Sequence, residues 1–137
     1  MAMRVFIAFS ESDMEEVKKA IQELAHSGSE FDFYEGPFPR EFELAQAEQA
    51  RRTIGEKIVQ SSITVCLIGE ETHRSPWVAA MLQKTLHKGN PIIAMALRKV
   101  ERAVLPEIIH QENLRFYPWN PKKLLQLLEE KRPSHRS

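Results

Sequence analysis

The sequence predicts an α/β fold, an open parallel sheet with helices on both faces. Three observations lead there. Short apolar, β-rich runs such as Arg4–Phe9 (RVFIAF) and Ile63–Ile68 (ITVCLI) are continuous rather than alternating. A strand covered on both faces loses alternation, so such runs read as parallel strands. Stretches with apolar residues at helical spacing lie between them, and helix start and stop residues punctuate the chain in step.

The elements follow in order. Arg4–Phe9 is the first strand. Ser12 with Glu15 three residues on reads as a capping box, the serine serving an orphan N–H and the glutamate reaching back. Val17, Ala20, Ile21 and Leu24 then form one helical stripe, and Gly28 ends it. Phe31–Tyr34 is the second strand, broken by Gly36, Pro37 and Pro39. A helix is expected over residues 42–60, with Ile54, Ile58 and Val59 as apolar anchors and Gly55 as a weak point.

Ile63–Ile68, closed by Gly69, is the strongest strand and is expected at the sheet centre. Ser75-Pro76 is a helix start, because proline's missing N–H is not needed at the first helical position. That helix runs to Lys88 and stops at Gly89-Asn90. Pro91–Leu97 is the fourth strand, with a short helix near Pro106–His110. Leu114–Tyr117 is the fifth strand, and Pro121 opens a last helix carrying Leu124, Leu125, Leu127 and Leu128. Alternation of this kind implies βαβ crossovers. The expected topology is a flavodoxin-like, three-layer fold with strand order 2-1-3-4-5. Residues 1–131 read as a single domain and 132–137 as a frayed tail.

Lysine plus arginine equals aspartate plus glutamate at 19 each, so charge gives no reason to expect nucleic acid or an anionic membrane as partner. The N-terminus lacks the basic-then-apolar layout of a secretory signal, and Met1-Ala2-Met3 reads as a short cloning scar before a start at Met3. With a single cysteine, Cys66, this leads to an expected cytoplasmic location. Cys66 lies in an apolar run and reads as a small buried hydrophobe.

In an open parallel sheet, ligands sit beyond the carboxyl ends of the strands at the switch in strand order. Here that is between the first and third strands. Ser10, Glu11, Ser12 and Asp13 follow the first strand, Glu35 and Gly36 the second, and Gly69, Glu70, Glu71 and Thr72 the third. Glycine-rich dinucleotide and P-loop motifs are absent. A receiver-type aspartate does not close the third strand, where Gly69-Glu70 stands instead. Histidines 26, 73, 87, 110 and 135 show no metal-ligand spacing, so no metal is expected. They read as surface or loop histidines, His73 being the one that borders the expected cleft. Arg98, Lys99 and Arg102 read as a solvated loop.

Three stretches carry a resemblance. Arg4–Ser10 with Asp13 beyond looks like the opening strand and loop of TIR domains. Val65–Gly69, then Thr72, then Ser75-Pro76-Trp77-Val78, is similar to the third-strand pattern of the TIR-like proteins of Thoeris anti-phage defence systems. Lys88-Gly89-Asn90-Pro91-Ile92-Ile93 resembles that family's next helix end and strand. Together they run through about residues 4–97.

The resemblance implies the flavodoxin-like fold and also an activity. Active family members cleave the nicotinamide–ribose bond of NAD to give ADP-ribose or a cyclised relative. The carboxyl-end rule together with the matched family positions leads to the expectation that Ser10, Asp13, Glu35, Thr72 and Trp77 surround one ligand-binding concavity. The resemblance implies no resident cofactor, NAD being substrate or ligand, and a homo-oligomer or a defence-effector protein as partner. The family's glutamate lies four residues after the tryptophan of S-x-W, and here that position is Met81. Residues 77 and 81 share one helical face, and Met81 also reads as ordinary packing against Trp77.

Three readings stand at this level. One is a TIR-like domain that binds NAD or a derived nucleotide with weak or no catalysis. Another is an active NAD nucleosidase or cyclase that takes its carboxylate from Glu35 or Glu70. The third is an unrelated flavodoxin-like interaction module.

Overall fold

The computed structural model describes residues 3–26, 31–35 and 44–131, with positions 35, 44–47, 49 and 50 described by backbone alone. Five parallel strands form one sheet in the order β2-β1-β3-β4-β5, as the sequence predicts. They are β1 (Met3–Ala8), β2 (Phe31–Glu35), β3 (Ile63–Ile68), β4 (Ile92–Ala96) and β5 (Phe116–Tyr117). The helices are α1 (Met14–Ala25), α2 (Leu44–Gln60), α3 (Pro76–Lys88), α4 (Glu107–Gln111) and α5 (Pro121–Glu130).

Successive strand residues point to opposite faces of a sheet. Every residue of β3 is buried, so both of its faces are covered, which explains its unbroken apolar run. Val5, Phe6, Ile7 and Ala8 of β1 are equally buried. On the helices, α1 contacts α5, whereas α2 and α3 contact each other and β1. The hydrophobic core runs through the sheet and joins Val17 and Leu24 of α1, Ile54 and Ile58 of α2, and Val78, Met81 and Leu82 of α3. The Cys66 thiol lies within it, and burial pushes its pKa up to about 12, so it stays neutral.

The start of α3 follows the expected chemistry. Ser75 Oγ accepts the Val78 N–H at 3.2 Å, and Pro76 occupies the first turn. At the other end Gly89 adopts φ 85°, a left-handed conformation that favours glycine. Its N–H reaches Leu86 O at 2.9 Å, and the Asn90 N–H reaches Thr85 O at 3.1 Å, closing a Schellman motif. Asn120 caps α5 in the same manner as Ser75, accepting the Lys123 N–H at 3.0 Å.

Some elements depart from expectation. The Ser12–Glu15 capping box does not form, because a 3₁₀ turn over Glu11–Asp13 intervenes and α1 begins only at Met14. Ser12 Oγ instead lies 3.1 Å from Ser10 Oγ. β4 is shorter than Pro91–Leu97, although Pro91 O still accepts from Thr64 N–H and Leu97 N–H still donates to Ile68 O. β5 keeps only Phe116–Tyr117, since it pairs with β4 alone at the sheet edge. α2 runs unbroken through Gly55, where an added Cβ would meet the Lys84 side chain at 3.4 Å. Gly28, Gly36, Pro37, Pro39 and the tail 132–137 lie outside the described residues.

Candidate functional site

The carboxyl ends of β1 and β3 bring two loops together. Ser10 is buried at 7% exposure, and its carbonyl accepts the Asp13 N–H at 2.9 Å, folding the loop back on itself. After β3, Thr72 is buried in a second 3₁₀ turn, Thr72–Arg74. Its Oγ1 accepts the Gly69 N–H at 2.8 Å. The Thr72 hydroxyl is also hydrogen-bonded to the Asp13 carboxyl, so one threonine ties the end of β3 to the start of α1.

Burial lifts the Asp13 carboxyl above its usual range, and the nearby carboxylates of Glu16, Glu70 and Glu71 push the same way, against the Thr72 hydrogen bond. Asp13 Oδ2 is buried and has no hydrogen-bond partner among the described residues. His73, which borders this region, is half-buried with its Nδ1 likewise unsatisfied.

Two hollows flank Trp77. The outer one, about 350 Å³, is lined by Ser10, Glu11, Glu71, Arg74, Ser75, Pro76 and Trp77. An exposed Arg74–Glu71 ion pair of 3.4 Å lies in its wall. The inner one, about 360 Å³, lies between α2 and α3 and is lined by Arg51, Ile54, Trp77, Ala80, Met81, Gln83, Lys84 and His87. Trp77 and Met81 are thus brought together in the inner hollow, Ser10 and Trp77 in the outer.

Asp13 and Thr72 pair with each other but line neither hollow. Glu70 is exposed and lines neither. Glu35 closes β2 opposite Ile7, and its side chain lies outside the described part of the structure.

The α3 wall of the inner hollow is a stripe at positions 77, 80, 81, 84 and 87, one face of a 3.6-residue helix. Met81 is 2% exposed, and α3 is held against the sheet beside it by two hydroxyls. Thr85 Oγ1 donates to the Met81 carbonyl at 2.9 Å, which uses its only proton. The buried Thr64 hydroxyl, 2.8 Å away, is therefore the donor to Thr85.

The basic members of this stripe and of α2 were not singled out by the sequence, where His87 reads as a surface histidine. His87 is exposed, and it rims the hollow. The signal available was the three- and four-residue spacing from Trp77 through Lys84 to His87. Among the described residues no group of three or more His, Cys, Asp or Glu side chains is arranged to hold a metal. No described helix is long and apolar enough to cross a membrane.

A family model described as "Thoeris protein ThsB, TIR-like domain" matches residues 6–102. No curated protein matches the chain by sequence. Three solved structures share the fold at low identity. A 2-deoxyribosyltransferase from Bacillus psychrosaccharolyticus is 18% identical, with TM-score 0.64 over 89% of this chain and 90% of its own. The TIR domain of a Toll-related receptor from Hydra magnipapillata is 16% identical, with TM-score 0.63 over 94% and 98%. A CMP N-glycosidase from Clostridium botulinum is 19% identical, with TM-score 0.55 over 92% and 98%.

Proposed function

Because the chain belongs to the family of the TIR-like domain of Thoeris protein ThsB, we propose that it binds NAD or an NAD-derived nucleotide and cleaves NAD weakly or not at all. One observation carries this reading. The inner hollow has Met81 where the family resemblance puts a glutamate, and none of its described lining residues is acidic.

Breaking the nicotinamide–ribose bond builds positive charge on the sugar. A preorganised carboxylate beside that charge is worth roughly 3–4 kcal/mol, or about 10²–10³ in rate. A thioether supplies polarizability without charge. Arg51 and Lys84 oppose a developing cation further, whereas they suit the phosphates of a nucleotide. The Trp77 indole offers a flat apolar surface for a base.

Glu70 gives little support to an enzyme with a displaced carboxylate, since its charge bears on Asp13 and it lines neither hollow. The fold itself also carries a 2-deoxyribosyltransferase and a CMP N-glycosidase, but fold alone does not assign chemistry. A homo-oligomer or a defence-effector partner, and a cytoplasmic location, belong to the proposal on family analogy.

The test is calorimetric titration with NAD and ADP-ribose, paired with mass-spectrometric assay of nicotinamide release. Saturable binding without release above the protein-free blank is the expected result. Steady turnover of NAD by the unmodified chain points to the displaced-carboxylate enzyme. Absence of any nucleotide binding points to the interaction module.

A further inference from the structure

Arg51, Lys84 and His87 stand around the inner hollow, and none of the three has a charged partner among the described residues. Beneath them the floor is apolar: Ile54 and Met81 are buried at 3% and 2% exposure, and Trp77 is half-buried. Trp77 to His87 spans ten residues of α3, about 15 Å of helix. The hollow is therefore an elongated groove with an aromatic end, an apolar floor and a basic rim that, among the described lining residues, faces no carboxylate.

The exposed Lys84 side chain passes over α2 at Gly55, its Cε 3.4 Å and its Nζ 3.8 Å from where a Cβ on that glycine would stand. Glu56 lines the neighbouring hollow on the far side of Lys84, not this one.

Charge of this sign separates two kinds of ligand that shape alone does not. An oxidised pyridine dinucleotide carries a cationic ring as well as its diphosphate. The same molecule with the ring reduced, or with the ring removed, keeps the diphosphate and loses the cation. We propose that the α2–α3 groove is selective for an anionic, diphosphate-bearing ribonucleotide without a cationic base, the class that holds both the reduced dinucleotide and the product left when the glycosidic bond has been cut. The groove receives such a ligand in preference to the intact oxidised dinucleotide.

The inference rests on the nucleotide-binding reading above and goes beyond it by assigning the ligand's charge class. Where the ligand is the cleaved product, a separate enzyme that cuts the glycosidic bond of a pyridine dinucleotide supplies it; the reduced dinucleotide needs no such step.

The experiment is titration of the full chain with NAD, NADH and ADP-ribose at matched ionic strength. NADH matches NAD in size and differs in ring charge, so that pair isolates the proposed discrimination. NADH and ADP-ribose are expected to bind at least about threefold tighter than NAD, the scale of a few partly screened charge contacts. Raising salt from low to physiological strength narrows the gap. Lys84→Gln reduces it, and Lys84→Glu abolishes or inverts it. Lys84 is exposed, so folding of both variants is checked by their thermal melts.

Equal or tighter binding of NAD than of NADH overturns the proposal while leaving nucleotide binding intact. A preference that Lys84→Glu leaves unchanged also overturns it, because the selectivity then lies elsewhere. Absence of binding by all three ligands overturns both readings together.

Discussion

The carboxylate of Asp13 occupies the space that any side chain at Gly69 would need. A Cβ placed on Gly69 would lie 2.4 Å from Asp13 Oδ2 and 2.8 Å from Asp13 Cγ. The glycine closing β3 is therefore required by close approach. It lets the start of α1 fold over the end of the central strand, and Thr72 then bonds both partners. The expected outcome is that Gly69→Ala destabilises the domain by about 1–3 kcal/mol, as overpacking does. Most of that cost should vanish when Asp13→Ala is made first. Urea unfolding of the two single variants and the double variant gives the coupling. Strict additivity of the two changes would contradict the contact.

Asp13 also has a pH consequence. Its native carboxyl titrates above the ordinary 3.8, chiefly because burial disfavours the charged form. In the interval between 3.8 and the raised native value, the folded state holds more protons than the unfolded state. Stability therefore falls as pH rises through that interval, and the penalty is fully present at neutral pH. Asp13→Asn keeps an acceptor for the Thr72 hydroxyl and removes the charge. The variant is expected to be more stable than the parent at pH 7, with the advantage shrinking as pH approaches 3.8. Denaturation midpoints measured across pH 3.5–7 test the sign, and a gain that grows on acidification would reverse it.

The central strands were legible because both sheet faces are buried at β1 and β3, and burial writes itself into sequence as uninterrupted apolar runs; the ends of β4 and β5 toward the sheet edge were not. Helix starts at Ser75 and Asn120 were equally readable, since capping is a local matter of one side chain and one N–H. Ser12 misled for the converse reason. Its capping pattern is local, yet the tertiary approach of Asp13 to Gly69 draws the chain into a 3₁₀ turn first. The rim cations were not legible as a group. Arg51 and Lys84 are surface residues on separate helices, and only the packing of α2 on α3 makes them neighbours across a groove. Nor does sequence reveal that Trp77 divides two hollows, so that Ser10 and Met81 fall on different sides of it.

Thr64 and Thr85 form a relay in the core, from the Thr64 hydroxyl to Thr85 Oγ1 and on to the Met81 carbonyl. Both residues are fully buried. Thr85→Val keeps the shape, removes the relay's middle member and leaves the Thr64 hydroxyl without its acceptor. A loss of about 1–3 kcal/mol is expected, the cost of an unsatisfied buried donor. Adding Thr64→Val should recover part of it, since replacing both partners removes the orphan. Guanidinium unfolding of the three variants checks this, and a double variant less stable than Thr85→Val alone would argue against the assigned donor direction.

Met81→Glu tests the chemistry most directly. The residue is 2% exposed, so a carboxylate there loses solvation, offset in part by Arg51 and Lys84 across the same hollow. A net loss of stability is expected, on the order of 1–3 kcal/mol. NAD cleavage should nonetheless rise, by up to about 10²–10³ over the parent, because the new charge stands beside Trp77 where a ribosyl cation would develop. The same charge should weaken the groove's preference for NADH over NAD, since it attracts the cationic ring that the rim repels. Cleavage assay, NAD and NADH titration and a thermal melt on one preparation read all three effects. A folded Met81→Glu variant that still releases no nicotinamide would mean that the missing carboxylate is not the sole barrier, the basic rim and a displaced pocket being the remaining causes. Lys84→Gln added to Met81→Glu then separates the two causes, because relieving the rim should restore turnover only if the rim is the obstacle.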